Sequence, residues 1–340
     1  VVIAPSKISD FCPIYKGADE SDVIVSQFDK DDVEAVGLVK FDFLGLSNLT
    51  IIDKAVKIIA KNKLSEGLID IDKLALDDPK VYKLLQDCDT TGVFQLESDG
   101  MRGYLKKLKA DCFEDIVAML ALYRPGPLES GMVDDYIQVK HGARVRYPHK
   151  ILEEILKPTN GVFIYQEQVM KSAQIMAGYS LGGADILRRA MGKKKAEEMA
   201  EQREVFVKGA AKKNIEKDKA NEIFDLIDKF SGYGFNKSHS VAYAYISYQT
   251  AWLKAHFPAP YMSAVLSSAM DDTDRVAFTV GESKKKGIIF IAPDINQSEY
   301  EFSIKDNMTI VYGLGAIKGV GEALVREIVI ERVKNGDFLD

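Results

Sequence analysis

The feature that most constrains this chain is a change of hydrophobic period at Gly45. Before it, apolar residues come in short runs separated by turn residues: Val1 to Ala4, Val23 to Phe28 and Gly37 to Phe43. That is strand spacing. After it, apolar residues recur at helical spacing, first at positions 51, 52, 55, 56, 58 and 59. Helices are predicted over 48–63, 78–87, 97–109, 112–123, 130–140, 165–177, 183–191, 196–214, 217–231, 239–256, 259–270 and 273–286. Strands return at 288–292, 299–304 and 309–313, and a last helix is predicted over 321–334. The expected fold class is α+β, predominantly helical. It comprises a small β-rich piece (1–46), a large helical body (47–286) and a small α/β end (287–340).

Charge follows the same division. The chain has 340 residues and a formal net charge of −6, so it is not a globally basic nucleic-acid binder. Nine acids and four bases fall before residue 46, which leaves the helical part close to neutral. No window approaches 18 uninterrupted apolar residues, so no membrane span is expected. The three cysteines, Cys12, Cys88 and Cys112, are widely spaced and lack a paired metal motif. That argues against a disulfide framework or structural zinc and for a reducing, cytoplasmic setting. The chain has no initiator Met, and both ends read as cut from something longer.

Four stretches carry candidate chemistry. In Lys40-Phe41-Asp42-Phe43-Leu44-Gly45, strand alternation puts the two rings on one face and Lys40 with Asp42 on the other. A carboxylate there is a candidate metal ligand, and a neighbouring cation suits a triphosphate. One carboxylate cannot support two-metal chemistry, which needs several anionic ligands. Residues 188–195 hold five cations and no acid: Arg188, Arg189, Lys193, Lys194 and Lys195. Asp185 and Arg189 lie one turn apart and are placed to pair. Gly192 is expected to end the helix. The guanidinium groups suit phosphate oxygens, whereas the bland alternative is a solvated helix end.

The third stretch, Gly232 to Tyr243, reads as a Gly-rich turn into a helix with Ser238 as N-cap and free N–H groups for an anion. Ser238-His239-Ser240 invites a nucleophile reading, but adjacent helical residues diverge and no elbow is visible. Tyr243, Tyr248 and Trp252 have the spacing of core residues, or of stacking faces for bases. The fourth, Tyr123 to Leu128, forces a rigid turn headed by Arg124. Basic stretches flank it (Arg102, Lys106, Lys107 and Lys109; Lys140, His141, Arg144 and Arg146), together suggesting a phosphate-binding surface. Two acidic groups read as structural: Asp70-Ile71-Asp72 at the approach to a helix, and Glu197, Glu198, Glu201 and Glu204 on a salt-bridged exposed helix. Near the end, Ala316 to Glu322 has the Gly-turn-helix form of a phosphate-binding helix-hairpin-helix element.

Taken together, the sequence resembles the alpha-subunit family of bacterial DNA polymerase III. The stretches that carry the resemblance are Leu38 to Leu46, Gly92 to Ser98, Tyr123 to Leu128, Gly182 to Lys195, Gly232 to Tyr243 with Ser247 to Thr250, and Gly313 to Gly321. They occur in order along essentially the whole chain. The resemblance implies that 1–46 is the last part of a polymerase palm, that 47–286 is the helical fingers, and that 287–340 is the small α/β end of the fingers. It makes Asp42 the third of three catalytic aspartates and a metal ligand. It assigns Lys40, Arg188, Arg189 and His239 to nucleotide binding, and Lys193, Lys194, Lys195 and Lys237 to DNA.

The implied cofactor is Mg²⁺, two ions that activate the primer 3′-hydroxyl and stabilise the leaving pyrophosphate. The implied partners are primer–template DNA, deoxynucleoside triphosphates, and a proofreading exonuclease, sliding clamp and clamp loader contacted mainly through other regions. The family's Pro-Asp-x-Asp-x-Asp-Phe segment, which carries its other two aspartates, does not occur here. The chain is therefore expected not to synthesise DNA alone. A non-catalytic nucleic-acid-binding or scaffold module is the competing class, and a Ser238/His239 hydrolase a third.

Overall fold

The structure, a computed structural model, describes residues 1–16, 24–43, 45–193, 196–231 and 233–339. The chain forms two compact units, Val1–Ser47 and Asn48–Asp340.

Among the described residues the first unit holds four short strands, β1 (Val2–Ile3), β2 (Ile14–Lys16), β3 (Ile24–Ser26) and β4 (Val39–Lys40), with helix α1 (Lys30–Ala35) between the last two. β1 pairs antiparallel with β4, and β2 with β3. Its core is small: Cys12, Val33 and Leu38, with Val2, Ile8, Phe11 and Phe28 against them. Two of its elements escape the sequence reading. Helix α1 buries Val33 alone, so it shows no apolar stripe. It is held at its start by the Asp29 carboxylate, which accepts from the amides of Asp31 and Asp32. Those amide bonds hold the Asp29 carboxyl below its usual range. Strand β2 is exposed along its length and gives no alternation.

In the second unit the helices are α2 (Ser47–Lys61), α3 (Pro79–Gln86), α4 (Asp99–Leu108), α5 (Phe113–Leu122), α6 (Pro125–Glu129), α7 (Met132–Lys140), α8 (Glu153–Leu156), α9 (Gln166–Ala177), α10 (Leu181–Lys193), α11 (Ala196–Ala211), α12 (Lys217–Ser231), α13 (Lys237–His256), α14 (Pro258–Ser267) and α15 (Thr273–Lys285). Strands β5 (Ile289–Ile291), β6 (Ser303–Asp306) and β7 (Thr309–Val311) and helix α16 (Glu322–Asn335) complete it. The sheet order is β5-β7-β6, with β5 parallel to β7 and β6 antiparallel to it. The chain is mostly helical with small sheets at both ends, as the change of period implies.

Among the described residues, three apolar clusters form this unit. One joins α3, α4, α5 and α7 to the middle of α13. A second joins α9 to α12, with Phe206, Phe224 and Ile227 fully buried. The third joins α2, α14 and the C-terminal sheet. Helix α13 serves the first and third.

Helix α13 is unusual in the polar groups it buries. Ser247 Oγ donates to the Phe94 carbonyl at 2.9 Å, and Thr250 Oγ1 accepts from the Phe94 amide at 3.1 Å. Tyr248 Oη donates to the Ala75 carbonyl and accepts from the Asp78 amide. Gln249 Nε2 donates to the Ile71 carbonyl at 3.0 Å. Lys254 Nζ donates to the Asp89 carbonyl, the Asp89 carboxylate and the Thr91 carbonyl at 2.8, 2.7 and 3.0 Å. These side chains stand in for a sheet ladder. They satisfy backbone groups of the segment from Ile71 to Phe94, much of which is not helical. Tyr261 of α14 adds a bond to the Gly92 carbonyl at 2.6 Å.

Lys254 is 7% exposed, and burial lowers its pKa although Asp89 opposes the shift. All three ammonium protons are bonded, so the charge is tolerated. Lys254→Met removes the cation and leaves Asp89 without its closest partner. We expect a loss of about 3 kcal/mol in urea unfolding monitored by circular dichroism. An unchanged midpoint would show that the bonded ammonium contributes nothing to stability.

Candidate nucleotide and nucleic-acid site

Asp42 lies beyond the end of β4 and is exposed. The strand over Gly37 to Phe43 shortens to Val39–Lys40, because its partner β1 offers only Val2 and Ile3. The backbone continues pairing for one step, with the Phe41 amide on the Val1 carbonyl at 2.8 Å. The rings of Phe41 and Phe43 still lie near each other, 6.4 Å apart. Lys40 is 3.5 Å from Glu34, so its charge is partly answered within its own unit.

Among the described residues, one His/Cys/Asp/Glu trio has metal-ligand spacing, Asp111, Cys112 and Asp115. Asp42 does not belong to it. Lys140 Nζ lies 2.7 Å from both Asp111 and Asp115, and Tyr136 Oη donates to Asp115 at 3.1 Å. Burial, with the Asp115 charge, pushes the Cys112 thiol up to about 11, away from the thiolate a metal would need. The trio is a salt-bridged knot between α5 and α7. The described residues therefore do not by themselves make a two-ion centre.

The cations of α10 are organised differently. Asp185 Oδ1 accepts from Arg188 Nε and Asp185 Oδ2 lies 2.8 Å from Arg189 Nε, so one carboxylate aligns two guanidinium groups. The Asp185–Arg189 pairing expected from the one-turn spacing is present. Arg188 keeps 36% and Arg189 68% of its side-chain surface. Among the described residues neither guanidinium has a further partner. Helix α10 does not stop at Gly192 but runs to Lys193, since the buried Ala190 and Met191 continue its packed face. The side chain of Lys193, and all of Lys194 and Lys195, lie outside the described residues.

The turn into α13 departs most from expectation. Its N-cap is Asn236, not Ser238: Asn236 Oδ1 accepts from the His239 amide at 2.8 Å. Glu167, in the first turn of α9, accepts from Asn236 Nδ2 and from the Lys237 amide, each at 3.1 Å. These first amides are already satisfied, so the helix start is not the open anion site its position suggests. Ser238 is exposed, and Ser240 is buried with its hydroxyl on the Val117 carbonyl at 2.6 Å. No nucleophile–base pair forms there.

An aromatic ridge lies beside this turn. His239 is 4.2 Å from Tyr243 and 5.6 Å from Phe235 by ring centres, and Tyr243 is 5.3 Å from Phe94. The Arg124 guanidinium covers Phe235 at 4.6 Å and donates to the carbonyls of Ala121 and Tyr233. Arg124 caps α6 rather than heading a bare turn. Lys237 Nζ lies over Tyr165 at 5.5 Å. Tyr248, by contrast, is fully buried in the core. Helix α9 links the two groups, packing on α10 and meeting the α13 turn through Glu167 and the Tyr165–Phe235 bridge.

The flanking basic stretches do not form one uniform surface. Lys140 is consumed by Asp111 and Asp115, and Arg102 donates to Thr90 and Thr91. His141 Nε2 bonds the Lys107 carbonyl, and Lys107 lies 3.7 Å from Asp134. Glu167 and Asn236 had no distinguishing signal in the sequence, since an acid in a first helical turn is commonplace. At the C-terminal end, Gly313 is required by close approach: a Cβ there would lie 2.6 Å from the Glu301 carbonyl carbon. Gly319 has φ +88°, and Gly321 opens α16 with no side-chain cap.

Residues 48–214 match the bacterial DNA polymerase III alpha subunit finger domain. Residues 1–45 match the bacterial DNA polymerase III alpha NTPase domain, and 287–340 match a helix-hairpin-helix motif. The DNA polymerase III subunit alpha of Pseudomonas fluorescens is 58% identical over all of this chain and 30% of its own length. The subunits of Pseudomonas aeruginosa and Escherichia coli K12 are 57% and 54% identical, each over 99% of this chain. The chain belongs to the bacterial DNA polymerase III alpha-subunit family and spans about 30% of the length of those relatives. No helix among the described residues is long and apolar enough to cross a membrane.

The Asp185 carboxyl is held below its usual range, first by the hydrogen bond from Arg188 and then by the charges of both arginines. A depressed carboxyl stabilises the fold above its unfolded pKa and loses that contribution as pH falls through the folded value. In a carbon-detected NMR titration, Asp185 should titrate below 3.8 in the wild type. It should move back toward that value in Arg188→Ala. A wild-type midpoint at or above 3.8 would contradict the fork.

Proposed function

We propose that this chain is the end of the palm and the fingers of a templated DNA polymerase, dividing at 1–46, 47–286 and 287–340. The observation that carries the reading is the fork on α10, one aspartate aligning two guanidinium groups, Arg188 half-buried and Arg189 exposed. Planar, pre-aligned cations suit the oxygens of a triphosphate better than mobile lysines do. In this reading Arg188 and Arg189 grip the incoming deoxynucleoside triphosphate, with Lys40 beside it. His239, exposed on its aromatic ridge, stacks near the nascent base pair. Lys193, Lys194, Lys195 and Lys237 face DNA phosphates, and the helix-hairpin-helix match at 287–340 supports a further backbone contact.

Asp42 supplies one carboxylate to the magnesium centre that family membership implies. The other anionic ligands lie outside this chain, so the chain alone does not extend a primer. Primer–template and nucleotides are its partners, with the exonuclease, clamp and clamp loader meeting the whole subunit elsewhere. A cytoplasmic location follows from that role. The second reading, a nucleic-acid-binding module without polymerase chemistry, is favoured by the helix-hairpin-helix match and the single carboxylate.

Three measurements test these readings. In a salt titration of fluorescent primer–template binding, the wild-type chain should show a clear slope of log affinity against log salt. Changing Arg188, Arg189 and Lys193 to Lys195 to Ala should reduce that slope by about 0.9 for each duplex phosphate no longer neutralised. Equal slopes would remove the basic helix from the DNA. In the full-length subunit, Asp42→Asn should abolish synthesis and spare DNA binding, whereas the module reading predicts little change in either. Arg188→Ala and Arg189→Ala should weaken nucleotide use more than DNA binding; equal losses would mean that the pair grips the duplex.

A further inference from the structure

A cleft of about 540 Å³, lined by no residue of the α10 fork or the α13 turn, lies in the seam between α3 and the α14, α15 and C-terminal sheet region. Its volume lies in the range of sites for small organic ligands, roughly 300–1,000 Å³. Its walls are largely apolar, formed by Leu84, Met262, Ile288 and Met308. Lys254 lies in its lining, but its three protons are already committed to Asp89 and Thr91.

The charges around the cleft are unequally matched. Each acid in the lining has a close cation: Asp87 with Lys83, Asp89 with Lys254, and Glu282 with Lys285. Two exposed lysines in the lining are not matched in this way. Lys286 reaches Asp89 only at 4.0 Å, and Lys80 has no carboxylate partner among the described residues. A cationic ligand would meet acids that are already paired. A neutral apolar ligand would leave both lysines unused.

We propose that this cleft binds a small amphipathic organic anion, its carboxylate or sulfonate between Lys80 and Lys286 and its ring-sized apolar body against Leu84, Met262, Ile288 and Met308. Such a ligand joins α3 to the C-terminal sheet and so braces the end that carries the helix-hairpin-helix match. The site is separate from the residues assigned to nucleotide and DNA, so the inference does not depend on that assignment.

Met262 and Met308 provide a local readout. The whole chain is labelled at methionine methyl groups and titrated with 4-phenylbutyrate, and separately with the neutral 4-phenylbutanamide. Saturable shifts are expected at Met262 and Met308 but not at Met101 and Met119, which are buried in another cluster. The amide should bind at least about tenfold more weakly, and so should the carboxylate to a Lys80→Gln, Lys286→Gln variant. Both lysines are exposed, so the variant should keep the wild-type methyl spectrum without probe. If it does not, the salt dependence of 4-phenylbutyrate binding to the wild type replaces it, with weakening expected as salt rises. No saturable shift at Met262 and Met308, equal affinity for amide and carboxylate, or an unaltered affinity in the variant or across salt would each overturn the proposal.

Discussion

The second unit depends on one exchange of hydrogen bonds. Much of the segment from Ile71 to Phe94 is not helical, yet parts of it are buried, so its backbone groups need partners. Helix α13 provides them from its side chains, through Ser247, Tyr248, Gln249, Thr250 and Lys254. This explains two stretches that carry the family resemblance. Gly92 to Ser98 and Ser247 to Thr250 are largely two halves of one contact. The same helix presents His239 and Tyr243 at its other end, so the contact that anchors it also fixes the aromatic ridge.

The cations fall into two populations with different physical roles. Lys140, Arg102, Arg124 and Lys254 point inward and satisfy carboxylates, hydroxyls or carbonyls. Arg188 and Arg189 share one carboxylate and keep much of their surface. Formal charge along the sequence treats these groups alike, but their desolvation does not. Glu167 applies the same logic to an anion site. A carboxylate from α9 takes the amide at the start of α13 that a phosphate would otherwise claim.

Most of the architecture was legible because most helices here bury one apolar stripe. The predicted span 217–231 coincides with α12, and 112–123 and 165–177 come within a residue or two of α5 and α9. Legibility failed where burial was slight or partners were remote. Helix α1 has one buried apolar residue, and strand β2 has none. Ser238 and Asn236 are both good caps, and nothing local says which one the turn presents to the His239 amide. Lys140 reads as a surface cation until Asp111, 29 residues earlier, is seen beside it. At the candidate site the sequence located the α10 cations and Asp185, but not Glu167, whose partners lie 69 and 70 residues away.

The separation between the two halves of the α13 contact also sets a timetable. Phe94 and Thr250 are 156 positions apart, and Asp89 and Lys254 are 165 apart. At roughly 5–20 residues per second, a ribosome needs about 8–33 s to make the intervening chain. For that interval the carbonyls of Asp89, Thr91 and Phe94 lack their α13 partners, and the apolar cluster that Leu85 and Leu96 share with Ala244, Tyr248 and Ala251 is incomplete. The nascent subunit therefore carries an unfinished surface through the synthesis of α10 with its paired arginines. The first apolar cluster of the second unit is complete only when α13 has emerged.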